Sequence, residues 1–506
     1  MLITFTPRSI VVIRAMPQLS TTWRLCAVLL ASCFLSTGCA INPATGELNF
    51  MLVSEAEEKI LGERSHAQIT AGFGGVYEDE KLAAYLDSVG QRLAAHTELP
   101  DLEYKFTVLD SPIANAFAAP GGYVYVTRGL MALPVNEAQL AGVLGHELAH
   151  INARHTAQRV TFNVAQIKLC KRLHCDPNRA LLKRFGLRDE ALHLRRFSHE
   201  QEFEADKLAV RYLARAGYPP NSMVSLLNIL LAHGSMNSKI ATTSTDEQRP
   251  NHTSTHPLTA ERLDQIVIAT RQNNVGDTRM AEGAYLDAID GLLYGNRAKV
   301  GFVLGQNYVN PVKRIAFDVP DGFIMTATND QVVAVGPSES LIIFEAAKIK
   351  SALTMQNYLT TLWARDLKLT EFHTVEINGM EAAIGWVQRE TDRGFLEFRL
   401  IAIRADQKSI YRFLVVAPAK QSEIFSEQLR DSIFSFRRLT AVEVKTLKPR
   451  RIHVVTVLPE DSPITLSHKM AVPNFRWEHF ALINGLFDFD STVELKPGEK
   501  IKLIAR

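Results

Sequence analysis

His146, Glu147 and His150 stand in the order His-Glu-Leu-Ala-His, and that spacing carries a chemistry. Residues four apart lie on one face of a helix, so both imidazoles can reach one metal ion. Glu147 projects beside them, where its carboxylate can take a proton from a zinc-activated water and hand it to a leaving amine. The motif is short and recurs by chance, so its surroundings must decide. Leu140, Val143, Leu144, Leu148 and Ile151 flank it and would bury the helix. Burying two imidazoles and a carboxylate is costly unless something pairs them, and a metal ion does that.

Zinc held by two histidines needs a further protein ligand, expected on a later helix. Between Ser198 and Asp206, Glu202 and Asp206 are four apart. One carboxylate can bind the metal while the other orients a ligand histidine. By itself this segment would be an ordinary solvated acidic face. His256 follows a polar stretch and can either stabilise the oxyanion of the reaction or close the metal as a fourth ligand, giving a latent form. Arg154 and His155 are expected to support the site by pairing with acids near Glu202.

Periodicity outlines the elements that must position these residues. Leu82, Tyr85, Leu86, Val89 and Leu93 recur at helical spacing within a helical region from 54 to 96. Tyr104 to Leu109 alternates and Tyr123 to Thr127 is strongly β-prone, with a turn at Pro120-Gly121-Gly122 between them. A strand near 114–118 can add an extended peptide to a sheet edge. The metal helix is expected from Asn136, its N-cap, to about Gln158. A second helix is expected over 189–215, a polar loop over 234–255, and a third helix from Leu258 to about Asn273.

These motifs together resemble the zinc peptidases related to the CAAX prenyl proteases and the periplasmic β-barrel assembly-enhancing protease. The likeness covers roughly residues 42 to 270. It is carried by Asn42-Pro-Ala-Thr-Gly-Glu, by Asn115 to Leu130, by His146-Glu-Leu-Ala-His150 with Arg154-His155, by Glu202-x-x-x-Asp206, and by Ser254-Thr-His256-Pro257 with Arg262. It implies one zinc per chain held by His146, His150 and Glu202, with Glu147 and His256 catalytic and Asp206 and His155 behind the ligands. His199 stands where the family often has arginine, and the chain lacks the membrane-spanning helices of the CAAX proteases.

The N-terminus reads as an address. Leu25 to Leu35 is apolar and too short to span a bilayer, and Leu35-Ser36-Thr37-Gly38-Cys39 follows. This resembles a lipobox, with Cys39 lipidated and Ala40 favouring the outer membrane; a plain cleaved signal or an N-terminal anchor is the alternative. Met16 is an alternative start. Cys170 and Cys175 can pair in an oxidising compartment or stay free thiols. The basic stretch from Lys168 to Arg196 is expected to be a solvated helical hairpin. A net charge of +2, from 56 basic and 54 acidic residues, gives no argument for nucleic acid.

The 506 residues call for several domains. We expect a multidomain α+β chain: a lipoprotein signal peptide (1–38), a mainly helical zincin-type peptidase domain with a small β-sheet (39–300), an α/β sandwich domain (301–447), and a separate βααβ unit (448–506). Helices are expected at about 345–366 and 420–435, and a basic linker at Lys448 to Arg451. The middle domain vaguely resembles PsbP-like domains. The last unit resembles a LysM module, through Val454 to Val457, Asp461 to Leu466, Phe480 to Leu486 and Leu495 to Ile504. That likeness implies contact with peptidoglycan, although Glu460-Asp461-Ser462-Pro463 departs from the usual turn. The expected function is a periplasmic zinc endopeptidase acting on misfolded or stalled envelope proteins, tethered to the membrane only by lipid. The alternative is a peptidoglycan-associated assembly factor with a latent metal site.

Overall fold

The computed structural model describes residues 39–51, 53–159, 161, 197–242, 256, 259–273, 279–349, 353–391, 394–419, 426–486 and 493–506. The signal segment and the stretch holding Cys170, Cys175 and the basic run lie outside the described residues, as does the side chain of Cys39.

A short hairpin, β1 (Cys39–Ile41) and β2 (Leu48–Phe50), leads into α1 (Glu55–Gly72) and α2 (Glu80–Ala94). Strands β3 (Lys105–Leu109), β4 (Ala116–Ala119) and β5 (Tyr123–Thr127) make a sheet ordered β3-β5-β4, in which β3 runs parallel to β5. Alternation divides β5 between two cores. Val124 and Val126 join the main core, whereas Tyr123 and Tyr125 pack with Phe117 and Ile69 of α1. The turn before β5 needs glycine: Gly122 has φ +90°, and a Cβ there would lie 2.4 Å from the Glu103 carbonyl oxygen.

A short α3 (Arg128–Met131) precedes the metal helix α4 (Glu137–Asn152), which Asn136 caps through the Gln139 N–H. Every residue of α4 is buried. Its first residue, Glu137, accepts from Tyr85 (2.7 Å), Arg92 (2.8 Å), Tyr218 (2.7 Å) and Arg279 (2.8 Å). Four donors on one carboxylate fix the start of the helix, since a buried charge must be fully paired. Then come α5 (His199–Arg215), α6 (Ser222–Thr242), α7 (Ala260–Gln272) and α8 (Glu282–Ile289). Three expectations change. Helix α4 stops at Asn152 rather than near Gln158, because Arg154 turns left-handed at φ +55°. The polar stretch expected from 234 is helical to Thr242 as the end of α6. The described part of the 189–215 helix begins only at His199, with Ser198 as its N-cap.

The middle domain is mostly antiparallel sheet. After β6 (Leu293–Tyr294), strands β7 (Phe302–Leu304), β8 (Asn307–Asn310) and β9 (Ile315–Asp318) form a small sheet. A seven-stranded sheet follows: β10 (Ile324–Ala327), β11 (Gln331–Val335), β12 (Leu341–Lys348), β13 (Glu371–Ile377), β14 (Met380–Thr391), β15 (Gly394–Arg404) and β16 (Ser409–Pro418). Its order is β10-β11-β12-β16-β15-β14-β13. Residues 345–348, expected as helix, belong to β12, where Ile342 and Phe344 alternate into the core. Short α9 (Met355–Tyr358) covers one face and α10 (Ser426–Phe434) lies near the other. Strand β17 (Arg437–Arg438) and α11 (Ala441–Thr446) close the domain.

The C-terminal unit runs β18 (Arg450–Thr456), α12 (Pro463–His468), α13 (Arg476–Ile483) and β19 (Lys500–Ala505). It is not separate. Strand β18 pairs with β6 as well as β19, so Arg450 and Arg451 are strand rather than linker. Ile452, Phe480 and Ile504 join the same core as Leu148 of the metal helix. Lys502, fully buried, donates to the carbonyls of Ala132 (2.9 Å), Leu133 (3.1 Å) and Pro134 (2.6 Å), just ahead of α4. Burial presses its amine well below the usual lysine range. Lys502→Met removes the donor from three buried carbonyls and should cost about 1–3 kcal/mol. The readout is a lower urea midpoint at unchanged slope; an unchanged midpoint would show that this contact holds nothing. No helix among the described residues is long and apolar enough to cross a membrane.

Candidate metal centre

One turn of α4 and one of α5 meet around a single point. His146 Nε2 lies 3.1 Å from His150 Nε2 and 3.2 Å from His256 Nδ1. Glu202 Oε1 lies 2.8 Å from His256 Nδ1 and 3.6 Å from His150 Nε2, and Oε2 lies 3.5 Å from His146 Nε2. The four ligand atoms fall within 4.8 Å of one another. Nitrogen and oxygen donors about 2.0–2.1 Å from a tetrahedral ion stand roughly 3.3–3.4 Å apart, so the spacing fits such an ion. The donor set fits as well: ring nitrogens facing one another at this range gain a common partner from a cation.

Each ligand is held from behind. Asp206, one turn after Glu202, sits 2.9 Å from His146 Nδ1. Arg262 of α7, fully buried, grips Asp206 through Nε and Nη2 at 2.8 Å each and reaches Glu202 through Nη1 at 2.7 Å. His150 Nδ1 is 2.9 Å from His155 Nδ1, and Phe197 stacks on its ring at 3.9 Å between centroids. His155 in turn lies 3.3 Å from Glu204. Arg154, expected to pair with acids near Glu202, instead bonds Glu58 of α1 and the Val53 carbonyl. Its left-handed backbone turns the side chain away from α5.

The electrostatics favour a cation. Burial alone would lower His146, yet Asp206 and Glu202 outweigh it and push it up to about 10. The field that attracts a proton there also attracts a metal ion. Burial would raise Glu202, but His256 and His146 hold it well below the carboxylate range. Asp206 is lowered by His146 and Arg262 against its own burial. Glu147 goes the other way: burial raises it, against the pull of His256 and His146. A raised carboxylate is the stronger base. The Ala118 backbone N–H of β4 draws Glu147 down as well, and its Oε1 is 3.4 Å from His256 Nε2.

The arrangement brings together His146, Glu147, His150, Glu202, Asp206, His155 and His256, seven of the residues picked out from the sequence. Phe197, Glu204 and Asn42 were not picked out as part of the site. Phe197 stands just before the Ser198 to Asp206 segment but is an apolar side chain with no chemistry of its own to mark it, and Asn42 is 162 residues from Glu204, so no local pattern links them.

A metal-ligand cluster with a further carboxylate beside it, on a helix packed against an edge strand, is an arrangement suited to metal-assisted hydrolysis. Residues 80–269 match the model of peptidase family M48. The chain is 29% identical over 232 residues to the mitochondrial metalloendopeptidase OMA1 of Schizosaccharomyces pombe, covering 44% of this chain and 64% of that protein. It is 27% identical over 220 residues to the beta-barrel assembly-enhancing protease of Escherichia coli, covering 42% and 43%. Residues 80–269 are thus similar to the M48 metallopeptidases. The chain spans less than two thirds of the length of these relatives. Among solved structures, a cyanobacterial PsbP from Synechocystis is matched at 12% identity over 28% of this chain and 98% of that one, with a TM-score of 0.23; at that score the likeness bears on neither fold nor function.

Proposed function

We propose that the chain is a zinc-dependent endopeptidase of the bacterial periplasm that acts on misfolded or stalled envelope proteins. The observation that carries this reading is β4, an edge strand packed against the helix that bears Glu147. An edge strand beside the ligand cluster suits an extended segment, which unfolded proteins offer and compact ones do not. His146, His150 and Glu202 would hold zinc, which supplies a Lewis acid for the scissile carbonyl and acidifies water. Glu147 takes the proton of the attacking water and returns it to the leaving nitrogen. Asp206 and Arg262 keep His146 turned toward the centre. The test is cleavage of an unfolded protein by the purified chain, lost on chelation and restored by zinc. Zinc-loaded protein that leaves the substrate intact would sink this reading.

The position of His256 within bonding range of His146 and Glu202 favours a second possibility, a latent centre in an assembly factor. If His256 closes the metal, His256→Ala should raise cleavage several-fold; if it stabilises the oxyanion, the same change should lower it by about 10²–10³. We also propose that lipid on Cys39 tethers the chain to the outer membrane, and that Cys39→Ala moves it from membrane to soluble fractions; unchanged fractionation would count against the tether. Contact of residues 448–506 with peptidoglycan rests on the LysM likeness, and failure of the chain to sediment with purified sacculi would remove it.

A further inference from the structure

His150 is fastened by a line of polar contacts, two hydrogen bonds and between them a close His155–Glu204 contact, that ends in the N-terminal hairpin. Its Nε2 faces His146 and Glu202, so Nδ1 carries the ring proton and points at His155 Nδ1, 2.9 Å away. His155 then accepts at Nδ1, and its own proton sits on Nε2, 3.3 Å from Glu204 Oε2. The other Glu204 oxygen accepts from Asn42 Nδ2 at 3.0 Å. Each donor in the line thus has one direction open to it.

Asn42 is built to hold still. It is buried, and its Oδ1 accepts the Ala44 N–H at 2.9 Å. Its backbone N–H donates to Glu47 at 2.7 Å, and its carbonyl accepts from Gly46 at 2.8 Å. Glu204, by contrast, keeps 27% of its side chain exposed, so solvent competes for it. A carboxylate behind a ligand imidazole fixes the ring and raises its basicity only while it stays in place. His146 relies on Asp206 and Arg262 instead, so the two ligands are held by separate lines.

We infer that Asn42 is a positioning residue for the metal ligand His150, acting through Glu204 and His155, and that the hairpin of β1 and β2 is part of the metal centre. This rests on the metallopeptidase reading above.

The experiment measures the zinc dissociation constant by competition with a chromophoric chelator. It compares wild type, Asn42→Asp, Glu204→Ala and the double variant, with circular dichroism as a fold control. Asn42→Asp keeps the oxygen that the Ala44 N–H needs but sets a second carboxylate against Glu204. It should weaken zinc about tenfold, at the lower end of what partners behind ligands contribute. In the Glu204→Ala background the same change should have no effect, since both act along one line. Wild-type affinity in Asn42→Asp, or an equal loss in both backgrounds, would overturn the inference. Wild type that binds no zinc would overturn the metallopeptidase reading itself, a different failure with a different signature.

Discussion

Glu147→Gln should leave the metal in place and lower kcat for an unfolded protein substrate by about 10²–10⁴, the span that a positioned general base contributes. The substitution is isosteric. It removes the charge that takes the proton. Glu147 is buried beside the ligand cluster, and burial already raises its basicity, so no neighbouring group duplicates it: Glu202 is held too acidic by His256 and His146, and Asp206 is committed to His146 and Arg262. Steady-state cleavage together with metal content by mass spectrometry reads the outcome. Full activity in a metal-loaded variant would assign the base elsewhere. Loss of metal along with activity would make Glu147 a structural group instead.

The second large effect is expected at His150. It is fully buried, shares the ligand cluster with His146 and Glu202, bonds His155, and stacks on Phe197. His150→Ala removes a ligand and leaves the partners behind it without their contact. Metal affinity should fall well beyond the 10–100-fold that a partner behind a ligand is worth, and purified protein should lose its metal on dialysis. One metal per chain after dialysis would refute the ligand assignment. His146→Ala should behave alike, because Asp206 and Arg262 are then left facing an empty side-chain position.

The site was legible in the sequence where ligands come in pairs along one helix. His146 with His150, and Glu202 with Asp206, are each one turn apart, and spacing alone puts each pair on a face. What closes the site crosses large distances in the chain, so it left no local signal: Asn42 reaches Glu204 and Arg262 reaches Asp206 from separate elements. The end of the metal helix was missed for a related reason. Apolar periodicity continues past Asn152, but the Asn152 side chain bonds the Leu148 carbonyl and the Tyr104 hydroxyl, and the backbone breaks at Arg154. The end of α6 was missed because its polar composition reads as loop, although the same helix buries Met223, Leu226, Leu227 and Met236; packing overrode composition. The C-terminal unit looked self-contained because its strand–helix–helix–strand order is complete in itself. Its pairing with the two-residue strand β6, and the reach of Lys502, depend on a partner too short to recognise in sequence.

The centre also has a charge balance. Among the described residues, three carboxylates, Glu147, Glu202 and Asp206, and one guanidinium, Arg262, are buried around the two ligand histidines of α4. With neutral imidazoles, three negative charges against one positive leave two uncompensated. Unbalanced charge is expensive in an interior of low dielectric. One divalent cation makes this pocket electrically neutral, whereas a monovalent ion leaves it anionic and a trivalent ion overshoots. The charge buried among the described residues is thus matched by a divalent cation, whichever divalent metal the nitrogen and oxygen donors then prefer.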